Sequence, residues 1–353
     1  STSGCSIIIP HSHYAGEERK AKRKSEGISA DSAGLSEHNV KGVYGMSGYK
    51  RLAGKRIGLV AVILVVMSAL PVAAESAMVE LDSRELKLLL NADLWSLNRW
   101  DGYDVCWDTV KELAKEVDVG VIEAEDPFDE GARKVMYLDT DSEELGKNNL
   151  TLRLRIKMKD GKFQDKVDLN LKYRVPGADA VPSDAVTVAP GIECEYSYEE
   201  DVVGFVDGVV GKNESSASLG VTIKGVPEIE LAGNTLGTYA KYYPSLAELG
   251  ISLDSEMQMI AGIEVMEYKV TPGELDFGQG MISEVDISVW YDLDSDQIIT
   301  MELSYGSDLG PDAPAEAVDK AVEFFNALQK EMNERKFLVP GGTKTQLLRD
   351  YAE

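Results

Sequence analysis

Four basic side chains recur on one face of two neighbouring predicted strands in the middle of the chain. Residues 152–159 alternate apolar and basic types, which places Arg153 and Arg155 on one face of a strand. The next alternating segment places Lys172 and Arg174 on one face in the same way. Cations that converge in a cavity bind phosphate oxygens through charge-assisted hydrogen bonds. On an open sheet the same residues would form an ordinary solvated face, and the pattern alone leaves both interpretations open.

A tight turn is predicted between these two strands. Asp160-Gly161 follows the first strand, and this dipeptide tolerates the positive φ angles of a two-residue hairpin turn. The apolar residues of both strands lie on the face opposite the basic one. We therefore expect a β-hairpin with one apolar face and one basic face.

Carboxylates alternate along another predicted strand. Residues 192–201 place Glu193, Glu195, Glu199 and Asp201 on one face. A row of carboxylates on one strand repels itself unless it meets cations or a metal ion. Such a row can pair with the basic face of the hairpin or hold a divalent cation, and both possibilities remain open.

Shorter alternating segments add further acids and bases. Glu85 and Lys87 share one strand face near the start of the predicted domain. Lys269 and Glu302 lie on two later alternating segments. These residues join the hairpin cations as candidates for an ionic surface.

The elements that would position these residues indicate an α+β domain. Seven or eight alternating strands accompany two or three amphipathic helices, predicted over 104–117, 239–249 and 316–332, with Pro244 disturbing the second. If the sheet closes into a barrel, the ionic faces point into its lumen and the helices cover the apolar faces. A half-open sheet with one solvent-exposed face fits the same pattern.

Residues 211–218 are rich in polar loop formers and predict a loop before a short strand at 219–224.

The composition of the chain limits the kinds of molecule that it can bind. The 353 residues carry a formal net charge of −25, and 44% of them are hydrophobic. Such a chain has ample material for a core and is too acidic for a general nucleic-acid binder. A cationic pocket in it has to be local.

The first 74 residues predict a leader and a secretory signal. Residues 1–45 have the composition of a disordered or untranslated leader. In residues 46–74 a basic cluster precedes an apolar run, and small residues follow Pro71, so we expect cleavage between Ala74 and Glu75. A membrane anchor is the alternative, but the apolar run is short. We expect a periplasmic or extracellular protein without a stable membrane anchor, whose single domain spans 75–353.

Two cysteines remain after this cleavage. In an oxidising compartment Cys106 and Cys194 could pair as a disulfide. Two unrelated buried thiols fit the sequence equally well.

The order of these segments resembles the CYTH domain of the triphosphate tunnel enzymes. YLDT, LRLRIK and LNLKYR in residues 137–174 match that family's tyrosine-x-Asp-Thr segment, its arginine-x-arginine strand and its leucine-lysine strand, in order. SRELK is similar to the Glu-x-Glu-x-Lys of the family's first strand, with Ser83 in place of the first glutamate. Ser304 stands where a late strand of the family has a second glutamate. The resemblance covers nearly all of residues 80–350.

The resemblance implies a fold, a chemistry and a set of residues. The fold is an antiparallel β-barrel, or tunnel, with amphipathic helices packed outside. The chemistry is Mg²⁺- or Mn²⁺-assisted cleavage of inorganic tripolyphosphate or another triphosphate, a small anionic ligand. The substrate-binding residues implied are Lys87, Arg153, Arg155, Lys172 and Lys269. The metal ligands implied are Glu85, Glu193, Glu195 and Glu302.

Two functions stay open because Ser83 and Ser304 replace expected carboxylates. One is an exported metal-dependent phosphohydrolase. The other is a non-catalytic domain of the same fold that binds an anionic ligand or a protein partner. Three or more carboxylates around one point of the lumen would favour the enzyme, and scattered carboxylates would favour binding.

Overall fold

The structure, a computed structural model, describes residues 76–92 and 99–353. The predicted leader and signal peptide lie outside these residues, so export remains a prediction. Within the described ranges, no helix is long and apolar enough to cross a membrane.

Fourteen strands and five helices make up the regular structure of the described chain. The strands are β1 (Met78–Glu80), β2 (Ser83–Leu90), β3 (Gly120–Glu123), β4 (Gly131–Thr140), β5 (Leu150–Lys159), β6 (Lys162–Phe163), β7 (Lys166–Pro176), β8 (Ala180–Pro182), β9 (Glu195–Val203), β10 (Glu214–Pro227), β11 (Met257–Met259), β12 (Val265–Asp276), β13 (Ile282–Asp292) and β14 (Ile298–Asp308). The helices are α1 (Arg99–Glu116), α2 (Glu144–Lys147), α3 (Leu236–Ala240), α4 (Ala315–Glu334) and α5 (Lys344–Ala352).

Nine of the described strands close into a barrel. They pair in the order β4-β12-β13-β14-β2-β9-β10-β7-β5, and β5 pairs back onto β4. The predicted α+β barrel is confirmed, and it is the fold that the resemblance to the CYTH domain implied. The prediction that it is wholly antiparallel is wrong, because β2 and β9 run parallel, with Glu85 beside Asp201. Alternating polarity shows which face a residue takes but does not show in which direction two distant strands meet.

The apolar faces of the strands point outward, under the helices. Leu88 and Ile287 share one core with Trp107 of α1 and Phe325 of α4. On the other side of the barrel, the outer faces of β5, β7 and β10 form a second core with Leu236 and Tyr239 of α3. The ionic faces therefore line a closed lumen, and the half-open sheet is excluded.

The two ends of the barrel differ. At one end α5 lies against the lumen, where Leu348 is fully buried with Tyr137 and Trp290. At the other end, where β2 and β9 begin, a cavity of about 430 Å³ is lined by residues that include Glu85 and Glu199. We call this end the mouth of the barrel.

Several local predictions can be compared with the structure. Asp160 and Gly161 have φ angles of 51° and 72°, as the hairpin turn requires. The predicted helix at 239–249 is broken, with α3 ending before a 3₁₀ turn at Pro244–Leu249. The loop predicted at 211–218 is wrong in part, because β10 starts at Glu214. Ser216 and Ser218 face the lumen while Ala217 and Leu219 pack in the second core, so a strand with a small polar face had the composition of a loop.

Both described cysteines are free thiols. Cys106 is buried in the core under α1 and α4, whereas Cys194 packs against the core under α3. Their placement in different cores favours the interpretation as two unrelated thiols over a disulfide.

Candidate functional site

Two adjacent arginines of β5 lie in the lumen without a counter-ion. The Nε atoms of Arg153 and Arg155 are buried and have no hydrogen-bond partner. Across residues 76–92 and 99–353, no carboxylate lies within ion-pair distance of either guanidinium. Burial, followed by the charges of Arg153 and Arg133, lowers the pKa of Arg155. Positive charge is therefore in excess at this point of the lumen.

Strand pairing explains why these arginines lack partners. On β4, Val135 is opposite Arg155 and Tyr137 is opposite Arg153, so that side offers no carboxylate. On β7, Asp168 is opposite Arg155. Its carboxylate instead accepts a hydrogen bond from a backbone N–H at 3.0 Å and lies 3.6 Å from the ammonium of Lys157.

A nearby carboxylate is already paired with a third arginine. Arg133 forms an ion pair with Glu267, and the indole Nε1 of Trp290 donates to the same carboxylate at 3.0 Å. Burial acts to raise the pKa of Glu267, but Arg133 and then Arg155 hold it well below its ordinary value. Glu267 is thus a single charged carboxylate, ion-paired with Arg133, and it leaves positive charge in excess among the three arginines.

Asp201 is the centre of a second ionic cluster. Its Oδ1 lies 2.6 Å from the Nζ of Lys87, and its Oδ2 lies 2.7 Å from the Nζ of Lys172 and 3.1 Å from Arg174. The hydroxyl of Ser218 also donates to Oδ2, at 2.9 Å. Burial acts to raise the pKa of Asp201, but these three cations hold it well below its ordinary value of 3.8.

Lys172 reaches this cluster across an intervening strand. Lys172 on β7 and Ser197 on β9 are both paired with Gly220 of the intervening strand β10. A Cβ at Gly220 would come within 2.6 Å of the hydroxyl oxygen of Ser197. A side chain at this position would therefore collide with Ser197. Lys172 extends across β10 and contacts Glu199 as well, at 2.9 Å.

Three carboxylates meet at the mouth side of this cluster. Ligand oxygens of Glu85, Glu199 and Asp201 all lie within 4.8 Å of one another, which is close enough to hold a metal ion. We call these residues the carboxylate trio. Oxygen donors of this kind suit Mg²⁺ or Mn²⁺. The trio nevertheless already has resident cations, because Lys87 bridges Glu85 and Asp201, and Lys172 bridges Glu199 and Asp201.

The other residues that the sequence singled out lie apart from the trio. Lys269 pairs with Asp286 at 2.5 Å, and Glu302 is buried with Lys344 of α5 at 2.9 Å. Glu195 is exposed at the rim and pairs there with Lys224. Glu193 is exposed and precedes β9. Of the four metal ligands implied by the resemblance, the structure brings only Glu85 into the trio.

Both serines that replace expected carboxylates line the mouth. Ser83 and Ser304 contribute to the same cavity as Glu85 and Glu199. Ser304 is paired with Lys87 across β14 and β2. The substitutions therefore lower the number of acids at the mouth without removing the trio.

The aspartate of the YLDT segment has a structural role. Asp139 accepts hydrogen bonds from the backbone N–H groups of Thr140, Leu145 and Gly146, at 2.7–2.9 Å. These bonds fix the turn from β4 into α2 and satisfy donors at the start of that helix.

The alternating pattern of residues 192–201 included Asp201, but nothing in the sequence distinguished this residue from the exposed Glu195 on the same strand face.

Comparisons with known proteins add little. No family model matches the chain, and no match was found among curated proteins. A Hippeastrum protein described as a candidate adenylyl cyclase with a dominant triphosphatase activity is 14% identical, covers 76% of this chain and 96% of its own, and has a TM-score of 0.38. A candidate adenylate cyclase from Bacillus halodurans is 15% identical, with 76% and 96% coverage and a TM-score of 0.32. A protein from Pyrococcus horikoshii OT3 is 12% identical, with 76% and 98% coverage and a TM-score of 0.32. At these identities and TM-scores, the similarities assign no activity and no residue role to this chain.

Proposed function

We propose that the lumen of the barrel binds a phosphate-containing anion and that Arg153 and Arg155 are its principal ligands. The observation that carries this proposal is a pair of half-buried arginines whose Nε atoms are buried without a hydrogen-bond partner and which form no ion pair with a described carboxylate. A buried charge without a counter-ion costs several kcal/mol, so it is uncommon unless a ligand supplies the opposite charge. Guanidinium groups are planar and donate two parallel hydrogen bonds, which matches phosphate oxygens.

The anion would enter through the mouth. Leu348 and Trp290 are fully buried where α5 lies against the opposite end. The cavity at the mouth is open to solvent, and Glu85 and Glu199 in its lining pair with Lys87 and Lys172. Lys87 and Lys172 are paired with carboxylates, so they would orient an incoming anion rather than supply the unmatched charge.

An oligophosphate, such as inorganic tripolyphosphate or another triphosphate, is the proposed ligand class. A linear chain of phosphates can place its terminal group at the arginines while its other groups extend toward Lys172 and Lys87. The test is calorimetric titration of the purified protein with tripolyphosphate, pyrophosphate and orthophosphate, in chelator and in Mg²⁺. We expect saturable binding of at least one of the three. Absence of binding at about millimolar ligand in both conditions would refute the proposal.

Hydrolysis of that ligand is the second candidate function, and the carboxylate trio favours it. Glu85, Glu199 and Asp201 could hold Mg²⁺ or Mn²⁺, which would neutralise phosphate oxygens and polarise the bond to be cleaved. Arg153 and Arg155 would bind and orient the terminal phosphoryl group. The test is release of orthophosphate from tripolyphosphate with and without metal. If the wild-type protein releases orthophosphate, Glu199→Gln should abolish this release, while calorimetric titration should still show binding of tripolyphosphate.

We also propose that the protein is exported. The order of basic, apolar and small residues in 46–74 supports this. Expression from Met46 in a bacterium should yield protein outside the cytoplasm with Glu75 at its N-terminus. Cytoplasmic protein with an intact N-terminus would contradict the proposal.

A further inference from the structure

The carboxylate trio is electrically balanced by side chains of this chain. Glu85, Glu199 and Asp201 contribute three negative charges. Lys87, Lys172 and Arg174 lie within ion-pair distance of them and contribute three positive ones. A divalent cation placed among these carboxylates would have to expel at least one ammonium group.

The positions of the two ammonium groups correspond to those of bridging cations. The Nζ of Lys87 lies 2.7 Å from a Glu85 oxygen and 2.6 Å from an Asp201 oxygen. The Nζ of Lys172 lies 2.9 Å from a Glu199 oxygen and 2.7 Å from the other Asp201 oxygen. Each ammonium therefore joins two members of the trio, as a shared metal ion would. Both oxygens of Asp201 are occupied in this way.

Burial makes the expulsion of these lysines costly. The side chains of Lys87 and Lys172 are 13% and 16% exposed, and that of Asp201 is 3% exposed. Moving either ammonium away from its carboxylates would leave their negative charge without a partner in a largely buried site.

We infer that Lys87 and Lys172 are the resident counter-cations of the trio and that the ligand-free protein holds no divalent metal there. A metal ion used in catalysis would then arrive together with the phosphate ligand, whose negative charges can draw the lysines away. This inference does not rest on the proposed function. It concerns the ligand-free protein and stands even if Arg153 and Arg155 bind no phosphate.

The test is direct Mn²⁺ binding to the full chain after removal of metal by dialysis against chelator. Electron paramagnetic resonance reports free Mn²⁺, whose signal falls as the ion binds. The acidic exterior will bind some Mn²⁺ weakly, so wild type is compared with Glu85→Gln/Glu199→Gln, which has the same exterior away from the mouth. We expect the two binding curves to coincide. One additional Mn²⁺ per chain in wild type would overturn the inference.

The complementary test asks whether removal of the two lysines creates a metal site. Lys87→Met/Lys172→Met removes both ammonium groups and leaves the trio with Arg174 alone, so we expect one Mn²⁺ site that wild type lacks. Adding Glu85→Gln to this variant should remove the new site. The matched control is Lys224→Met/Lys269→Met, which removes two lysines that pair with Glu195 and Asp286 outside the trio. An equal gain in the control would overturn the inference. If the first variant does not fold, the comparison of wild type with Glu85→Gln/Glu199→Gln still decides it.

Discussion

Lys172 and Asp201 form an ion pair across an intervening strand: the Nζ of the lysine on β7 lies 2.7 Å from Oδ2 of the aspartate on β9. Gly220 of the intervening strand β10 is paired with Lys172 on one side and with Ser197 on the other. Lys87 reaches the same carboxylate from β2, so a single aspartate joins three strands of the barrel. This relationship makes Asp201 the residue on which the electrostatics of the mouth depend.

Replacement of Asp201 by Asn should destabilise the protein strongly. The amide carries no charge to balance Lys87, Lys172 and Arg174, which would remain partly buried near one another. Removal of one partner from a buried ion pair costs about 3–5 kcal/mol, and we expect a loss in this range in urea unfolding. Glu195→Gln is the control, because its pair with Lys224 is exposed and should contribute less than about 1 kcal/mol. Similar losses in the two variants would contradict this assignment.

Stability should fall in acid because buried carboxylates have depressed pKa values. The pKa values of Asp201 and Glu267 lie below their ordinary values of 3.8 and 4.5, as described above. A group with a depressed pKa in the folded state binds protons more readily when unfolded. Its stabilisation is therefore fully present above the ordinary pKa and is lost as pH falls below it. Urea midpoints measured between pH 6 and pH 2.5 should decrease mainly below about pH 4.5.

Glu267→Gln provides the control for this pH dependence. The variant should be less stable at neutral pH because Arg133 loses its partner. It should also lose less additional stability between pH 4.5 and pH 2.5 than wild type does. An unchanged pH slope would show that Glu267 does not contribute to acid sensitivity.

Leu348 should matter for stability and for closure of the end opposite the mouth. Its side chain is fully buried with Tyr137 and Trp290. Leu348→Ala should cost about 2–5 kcal/mol, the usual cost of truncating a buried leucine. It should also make tryptophan fluorescence more accessible to acrylamide, and this increase should disappear when Trp290 is replaced by Phe. Leu347→Ala, at a partly buried position, is expected to cost less.

Alternation alone predicted the shared basic face of the central hairpin, whereas the closed barrel was predicted from the resemblance to the CYTH domain. Strand alternation has a period of two, so Arg153 and Arg155 had to share a face opposite the leucines of β5. Alternation does not show whether a residue lies at the rim of the barrel or deep inside it. Glu195 and Asp201 share a face of β9, yet one lies exposed at the rim and the other is buried among three cations.

The sequence pattern also does not show which distant strands pair with one another. The parallel contact of β2 with β9 brings Glu85 beside Asp201, and only the closed barrel establishes that register. The reach of Lys172 over Gly220 depends on the order β7-β10-β9, which alternating polarity does not specify. The resemblance to the CYTH domain supplied the fold and the basic strands, but it did not identify Asp201 or Glu199 as members of the trio.

The central claim is that Arg153 and Arg155 are kept in the lumen to bind an anion at the expense of stability. Each charge-assisted hydrogen bond contributes about 1.5–3 kcal/mol, so Arg155→Met should weaken binding of tripolyphosphate about tenfold or more. Removal of an unpaired buried charge should also raise the free energy of unfolding, by about 1 kcal/mol or more. A solvated arginine would show neither effect.

The most direct measurement pairs calorimetric titration with urea unfolding on wild type, Arg155→Met and Arg153→Met/Arg155→Met. Arg335→Met is the control, because Arg335 pairs with Glu112 and Glu331 on the outer helices. We predict that binding falls and stability rises with each lumen arginine removed, while the control binds as wild type does. Unchanged binding in the double variant, or a loss of stability in it, would contradict the claim.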